Sequence, residues 1–459
     1  MNFVAASRYL RLTPFDTRTE QGRRDERYRV AALSVLANIF SRAVGVALTL
    51  LSVSLTVSYL GVERFGVWMT VASFAGMLTF LDLGVGNALT NHVARRAAED
   101  DADLLRQTIS GGLVFLALIG LGMGLLLWLI AANLSWGSVI KVDQPGLLSE
   151  ARQAAMCFAL LFGLNIFTSG IQRVFAGLQQ AYLGHLVAAF GSLVACIGLW
   201  FAAAAHQGIA VLLTIMLGAQ SAAGLILLGF LALRKQFSLR GLPGLLALES
   251  RQLFKAGGLF FLLQIGTMVG WGADSLIISS TLGASQVAVF SVVQRLFQFA
   301  TQPLSILNAP LWGAYADAHV RHDKVFIRGT LRRSLTTTLA GAVTGAALLM
   351  LFHSWLIEKW THGNIAAPLV FVAAYAVWVV LDACGNAFAM FLNGTGIVRQ
   401  QASVVILFIV LVLPMKLIFI QDFGLIVIPI ATIMAYMIAN GGLYGFVFRS
   451  TILNNLLLK

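Results

Sequence analysis

The chain has 459 residues, 59% of them hydrophobic and 11% charged, with a formal net charge of +12. So few polar residues cannot cover a soluble globule, which leaves the bilayer as the solvent. Apolar runs of roughly 20 residues, each enough to cross ~30 Å of hydrocarbon, recur twelve times, and no dyad alternation of strands competes with them, which excludes a β-barrel.

A short basic tail, residues 1–29, comes first. Its charges, Arg23, Arg24, Arg27 and Arg29, lie beside the first apolar run with no small-residue cleavage site after it. It is therefore expected to stay attached and to touch anionic lipid rather than act as a cleaved signal. Span 1 runs outward from Arg29 to Tyr59, span 2 returns to Arg96, and the acidic loop Glu99 to Asp103 leads to span 3, which ends near Asn133. The longest outer loop, around Lys141 to Glu150, precedes span 4 from Arg152 to Leu178. A sharp turn at Gln179-Gln180 opens spans 5 and 6, which reach Leu233.

A basic linker, residues 234–255 with Pro243 inside it, separates the halves. Six is an even number, so the second half enters with the orientation of the first, as a parallel repeat about an axis along the membrane normal. Span 7 covers Leu253 to Leu282 and span 8 Ser285 to Ala318. The basic loop Arg321 to Arg333 follows, and spans 9 to 12 end near Arg449. The expected fold is an all-α integral membrane protein of twelve transmembrane helices. They form two six-helix bundles, residues 30–233 and 256–449, related by a pseudo-two-fold axis, with a cytoplasmic tail at 450–459. Pro303, Pro310, Pro414 and Pro429 are expected to bend or break their helices. One internal repeat is visible. Leu60-Gly61 recurs as Leu282-Gly283 and Trp68 as Phe290, each displaced by 222 positions.

The basic residues are sorted by membrane face. The inner loops and tails hold 23 Lys and Arg, the outer loops hold four (Arg64, Lys141, Arg152, Lys359), and four lie within spans. This bias places both termini in the cytoplasm of a multi-pass inner-membrane protein and argues against a nucleic-acid partner. Cys157, Cys196 and Cys384 lie inside apolar spans without ligand spacing and read as small buried hydrophobes. No His or Cys cluster has metal spacing, so no metal or cofactor is expected. The glycines at 84, 86, 111 and 112 read as close helix packing rather than a phosphate loop.

Polar side chains facing lipid are costly, so a polar stripe at helical spacing marks a wall facing protein or water. Span 1 carries Asn38, Ser41, Arg42, Gly45, Thr49, Ser52 and Thr56 at steps of three and four. Span 2 has Thr79, Asp82, Gly86 and Thr90. Span 4 has Asn165, Ser169, Gln172, Arg173 and Gln180. Span 7 has Gln264, Thr267, Trp271 and Asp274. Span 8 has Ser291, Gln294, Arg295, Gln298, Gln302, Ser305 and Asn308, and span 10 has Asp382, Asn386 and Asn393. These are the first, second and fourth spans of each half, and the simplest arrangement sets them around a wet cleft between the bundles. The plainer alternative is interhelical hydrogen bonding, at about 0.6 kcal/mol each.

The charges within spans are Arg42, Arg173, Arg295 and Lys416 against Asp82, Asp274 and Asp382. Depth along the helices matches Arg42 with Asp82 and Asp274 with Arg295. Each match is open to two readings, an ion pair or a ligand contact. Arg173 has no acid nearby in sequence and is the first choice for a ligand contact. Lys416, near the outer end of span 11, is expected to snorkel.

Tyr59-Leu60-Gly61 with Glu63, Phe65-Gly66 and Trp68, followed by Leu81-Asp82-Leu83-Gly84 and Gly86-Asn87, resembles the opening helices of bacterial polysaccharide-transport proteins. These are the O-antigen and exopolysaccharide flippases of the superfamily that includes MATE drug exporters. Asp274 with Leu276-Ile277-Ile278, Leu282-Gly283, and Leu311-Trp312 through Tyr315 and Ala318 to Asp323 are also similar. Phe290, where a Tyr is usual, and Gly313, where a Pro often follows the Trp, depart from the pattern. The resemblance implies flipping of a polyprenyl-diphosphate-linked oligosaccharide for surface polysaccharide export, by alternating access and without enzymatic chemistry. Arg42, Arg173, Arg295, Gln172, Gln294, Gln298, Trp271 and Asn165 are then the substrate contacts, and Asp82, Asp274 and Asp382 the coupling or ion-pair groups. Implied partners are the lipid-linked glycan, membrane lipids, and a glycan polymerase or export complex. A cation-coupled drug antiporter would use the acids instead. A membrane polymerase or ligase would need a large outer loop, which is lacking here, and an inactive scaffold is the remaining alternative.

Overall fold

The computed structural model describes residues 11, 13, 15–16, 19–78, 85–98, 101–142, 145–237, 270, 272–308 and 310–444. Among these the secondary structure is helical, with no strand. The elements are α1 (Glu20–Leu78), α2 (Val85–Ala98), α3 (Ala102–Asn133), α4 (Trp136–Val139), α5 (Pro145–Gly177), α6 (Ala181–Ala204) and α7 (Ile209–Leu233). They continue with α8 (Asp274–Thr281), α9 (Ala284–Asn308), α10 (Leu311–Val320), α11 (Lys324–Thr361), α12 (Leu369–Gly394), α13 (Val398–Phe423) and α14 (Val427–Gly442). Among the described residues, eight helical stretches are long and apolar enough to cross a membrane. Two of them run through a bend, 32–73 through Gly61 and 400–442 through Gly424.

The surface explains why these runs suit a bilayer. On α1, Val35 is 59% exposed and Phe40 52%, while the polar Asn38, Ser41, Gly45 and Thr49 are half-buried and Ser52 and Thr56 buried. The amphipathic pattern is thus inverted relative to a soluble protein, with the apolar face outward. The same holds on α11, where Leu351 is 72% exposed.

Contacts divide the chain into two compact units. Unit 1 is Met1–Leu55, Thr79–Leu134 and Ser149–Gly258, and unit 2 is Thr56–Leu78, Ser135–Leu148 and Leu259–Lys459. In unit 1, Asp101 caps α3 by accepting from the amides of Asp103 and Leu104. The sharp turn expected at Gln179-Gln180 is present, with Gln179 in the left-handed region (φ 59°). The Gln180 side chain accepts from Arg234 at 2.6 Å. Close packing is the role of Gly112, where an added Cβ would stand 2.3 Å from Leu89 Cδ1.

In unit 2, the glycines of both copies of the Leu-Gly turn have positive φ. Gly61 has φ 74° and Gly283 φ 93°, a region that favours glycine. Gly61 divides α1 into two helical segments. Phe65 and Trp68 beyond it are fully buried and meet edge to face, with ring centroids 5.7 Å apart. Gly66 packs against the backbone at Ala284, the first residue of α9. Of the four prolines, Pro310 falls where α9 ends and α10 begins, Pro303 and Pro414 are accommodated inside helices, and Pro429 sits in the first turn of α14. A proline in a first turn removes only an amide that has no intrahelical partner, so it starts the helix instead of breaking it.

Candidate functional site: the polar interior of unit 2

The centre of unit 2 is built around a buried ion pair. Asp274 opens α8, just after a π-helical turn that includes Gly270 and Gly272. Lys416, on α13, has no accessible surface, and its Nζ donates to Asp274 Oδ1 at 2.5 Å and to the Gly270 carbonyl at 3.1 Å. This corrects two expectations. Lys416 does not snorkel, and Asp274 is paired with Lys416, not with Arg295. The reason is depth: Asp274 stands seven residues before Thr281, the end of α8, and Lys416 seven before Phe423, the end of α13. Equal rise from the same end brings the two groups level. The long lysine stem then buries among apolar side chains while its head finds the carboxylate.

Arg295, on α9, is left half-buried, and no hydrogen-bond acceptor or carboxylate among the described residues meets its guanidinium. One helical position earlier, the Gln294 side chain reaches the Tyr375 hydroxyl. Tyr375 itself sits among rings, 5.6 Å from Phe297 and 6.1 Å from Phe290 between centroids. Phe290, the unusual residue at a position expected to be Tyr, is therefore a fully packed ring with no hydroxyl to satisfy.

Asp382, on α12, is exposed, and part of its surface lines a cavity. No hydrogen bond or ion pair to it occurs among the described residues. The cavity, about 320 Å³, lies among α12, α13 and α14. Asp382, Asn386, Gln401 and Asn440 supply its polar groups and Phe388, Phe408, Tyr436 and Tyr444 its rings. A second cavity of about 170 Å³ shares Asp382 and Asn386 and is lined on the other side by Thr301, Gln302 and Ser305 of α9. The stripe of α9 that starts at Arg295 thus continues onto the wall that Asp382 occupies. At its far end the stripe does act as glue, since Asn308 donates to Thr338 Oγ1 at 3.0 Å.

The remaining predicted residues fall as follows. In unit 1, Arg42 is exposed and its Nε donates to Asn38 Oδ1 at 3.2 Å, on its own helix. Arg173 is exposed, and its carbonyl accepts from Thr90 Oγ1 at 3.2 Å, tying α5 to α2. Asn165 and Gln172 are half-buried on α5. Gln298 is exposed on α9 in unit 2. Asp82, Trp271, Gln264, Thr267, Thr79 and most of the linker lie outside the described residues, and with them the Arg42–Asp82 match. Sequence reasoning missed Lys416 as an ion-pair partner, and Gln401, Tyr436 and Asn440 as cavity residues. The equal depth of Lys416 and Asp274 was a usable signal for the first. Tyr436 and Asn440 stand a four-residue step apart on α14, a spacing that could have marked one face, while Gln401 is a single polar residue near the start of α13.

The model of the family described as polysaccharide biosynthesis protein matches residues 33–312. The chain belongs to that family. The match takes in the Gly61 turn, the Asp274 turn and the whole of α9. No curated protein matches the chain. Solved structures do. An inward-facing multidrug resistance MATE family transporter of the MOP superfamily is 16% identical, with TM-score 0.75, covering 91% of this chain and 98% of that one. The lipid II flippase MurJ, in an inward closed conformation, is 13% identical with TM-score 0.66, covering 92% and 89%. A MOP superfamily transporter from Pyrococcus furiosus is 16% identical with TM-score 0.64, covering 94% and 97%. At these identities the likeness is one of fold. This family member therefore has the MATE-like fold of a multi-pass membrane protein.

Proposed function

We propose that the protein is a flippase that moves a polyprenyl-diphosphate-linked oligosaccharide across the cytoplasmic membrane by alternating access, for surface polysaccharide export. The observation that carries this reading is Arg295, whose guanidinium meets no acid among the described residues. An arginine held within a membrane span without a carboxylate is costly unless an anion visits it. Lys416 has taken the acid that would otherwise neutralise it. A guanidinium suits a diphosphate, with donors in a planar fork. Arg42, Arg173, Gln172, Gln294, Gln298, Trp271 and Asn165 serve in this reading as the further polar contacts to headgroup and sugar. The twelve-span topology, with bundles at residues 30–233 and 256–449 and both termini in the cytoplasm, supplies the alternating cleft. A glycan polymerase or export complex is the expected neighbour. Two of the three named neighbours of like fold, a MATE transporter and a lipid flippase, support a transport role rather than an enzymatic one, and the third is a transporter as well.

A second reading, a cation-coupled drug antiporter, is favoured by Asp382, a carboxylate with no basic partner among the described residues, in a cavity rich in aromatic rings. One experiment separates them. In cells that depend on the protein for surface glycan, Arg295→Ala should cut export at least ten-fold and Arg295→Lys should restore part of it. Under the antiporter reading, Asp382→Asn abolishes drug efflux while Arg295→Ala leaves it intact. Full glycan export by Arg295→Ala would overturn the flippase reading.

A further inference from the structure

The group at Asp274 is an oxygen site for a cation. Its ligands are a carboxylate oxygen and a backbone carbonyl in an irregular turn ahead of a helix, the kind of set that broken helices use to hold alkali ions. Here the cation is the chain's own. Lys416 Nζ lies 2.5 Å from Asp274 Oδ1 and 3.1 Å from the Gly270 carbonyl, and the whole side chain is sealed from solvent. Of the three ammonium donors, two are accounted for by these oxygens. Glycine at 270 permits the approach, because an added Cβ would stand 2.5 Å from Phe408 Cε1 on the same helix as Lys416.

We propose that this is a monovalent-cation site occupied permanently by the Lys416 ammonium, a tethered substitute for a bound metal ion. The proposal deepens the flippase reading by removing Asp274 from the groups able to exchange a coupling ion. Lys416 joins α13 to the turn ahead of α8 without needing an ion from solution, so the part of unit 2 around Asp274 holds one state whatever the sodium gradient. Among the three intramembrane acids, Asp382 then remains in unit 2 with access to a cavity.

The test is thermal unfolding of the purified protein in detergent, in sodium chloride against choline chloride at equal ionic strength. Wild type should show the same midpoint in both. Lys416→Ala should unfold earlier in choline and recover by about 3 °C at roughly ten times the dissociation constant for sodium. Methylammonium, small enough to enter the vacated space, should act likewise. The double variant Asp274→Asn/Lys416→Ala should lose the response. An unresponsive Lys416→Ala, behaving like the double variant, would reduce the pair to a structural salt bridge and overturn the proposal. If Lys416→Ala cannot be purified, wild type decides. A sodium-dependent midpoint in wild type that Asp274→Asn abolishes means the site takes ions from solution, and the idea is wrong; no such shift supports it. Because the readout is unfolding, failure of the flippase reading leaves this result unaffected.

Discussion

Lys416 and Arg295 are both basic residues on helices of one unit, and their surroundings separate them. The lysine is neutralised within 2.5 Å by Asp274, and the arginine meets no acid among the described residues. Taking one partner from a buried pair leaves an uncompensated charge, at about 3–5 kcal/mol, so Asp274 and Lys416 have to be read together. A third charged residue lies before the first span. Glu26 accepts from Arg29 at 2.6 Å and 2.8 Å and from the Phe15 amide at 2.8 Å, which fixes a piece of the tail on the start of α1. The hydrogen bonds from the Arg29 guanidinium hold the Glu26 carboxyl below its ordinary value of 4.5. A lowered folded value means that the stabilisation is fully present above that ordinary value and is lost as the pH falls through the folded one. Amide exchange should therefore show Phe15 protected at pH 6 and released in more acidic solution. In Glu26→Gln the protection should be lower throughout and flat with pH.

At the level of elements, the repeated Leu-Gly turn is the feature that sequence and structure state in the same terms. The 222-residue displacement pairs Gly61 with Gly283, and both adopt positive φ. The partner of that turn is a close backbone approach. A Cβ at Gly66 would fall 1.8 Å from the Ala284 carbonyl oxygen, with backbone on both sides and no flexible side chain to yield. Gly66→Ala should lower stability by about 1–3 kcal/mol, the usual penalty for overpacking. Gly45→Ala on the same helix, where nothing lies within 4 Å of an added Cβ, should be neutral or stabilising. Thermal unfolding midpoints of the two variants in detergent check this, and equal midpoints would contradict it. The polar stripes divide at this level too. On α9 one end is an interhelical hydrogen bond, Asn308 to Thr338, while the middle, Gln302 and Ser305, lines a cavity. The stripe predicted a wall, and the wall is part glue and part wet surface.

For the whole molecule, the distribution of Lys and Arg makes a topological prediction. Alkaline phosphatase, active only outside the cytoplasm, should be active when fused at Gly363 and inactive when fused at Arg321. A reporter fluorescent only in the cytoplasm should light up after Lys459. Reversal of these signals would turn the protein over in the membrane and reverse the direction of transport proposed for it. With the expected orientation, an inside-negative potential assists an anionic headgroup outward by ~2.3 kcal/mol per charge per 100 mV.

The sequence by itself determined what hydrophobicity and periodicity encode. These are a membrane protein made of helices, the helix ends near Tyr59, Arg96, Asn133, Leu178, Leu233 and Leu282, and the turns at Gly61, Gln179 and Gly283. Each depends on interactions between neighbours along the chain or on the transfer of side chains to lipid, so local order suffices to read it. Which charge meets which was decided only by the tertiary structure. Asp274 had candidate partners 21 and 142 residues away, and the nearer in sequence, Arg295, was not chosen. Helix packing set the depth and rotation that brought Lys416 to the acid, and in doing so it left Arg295 open and set Asp382 on a cavity wall.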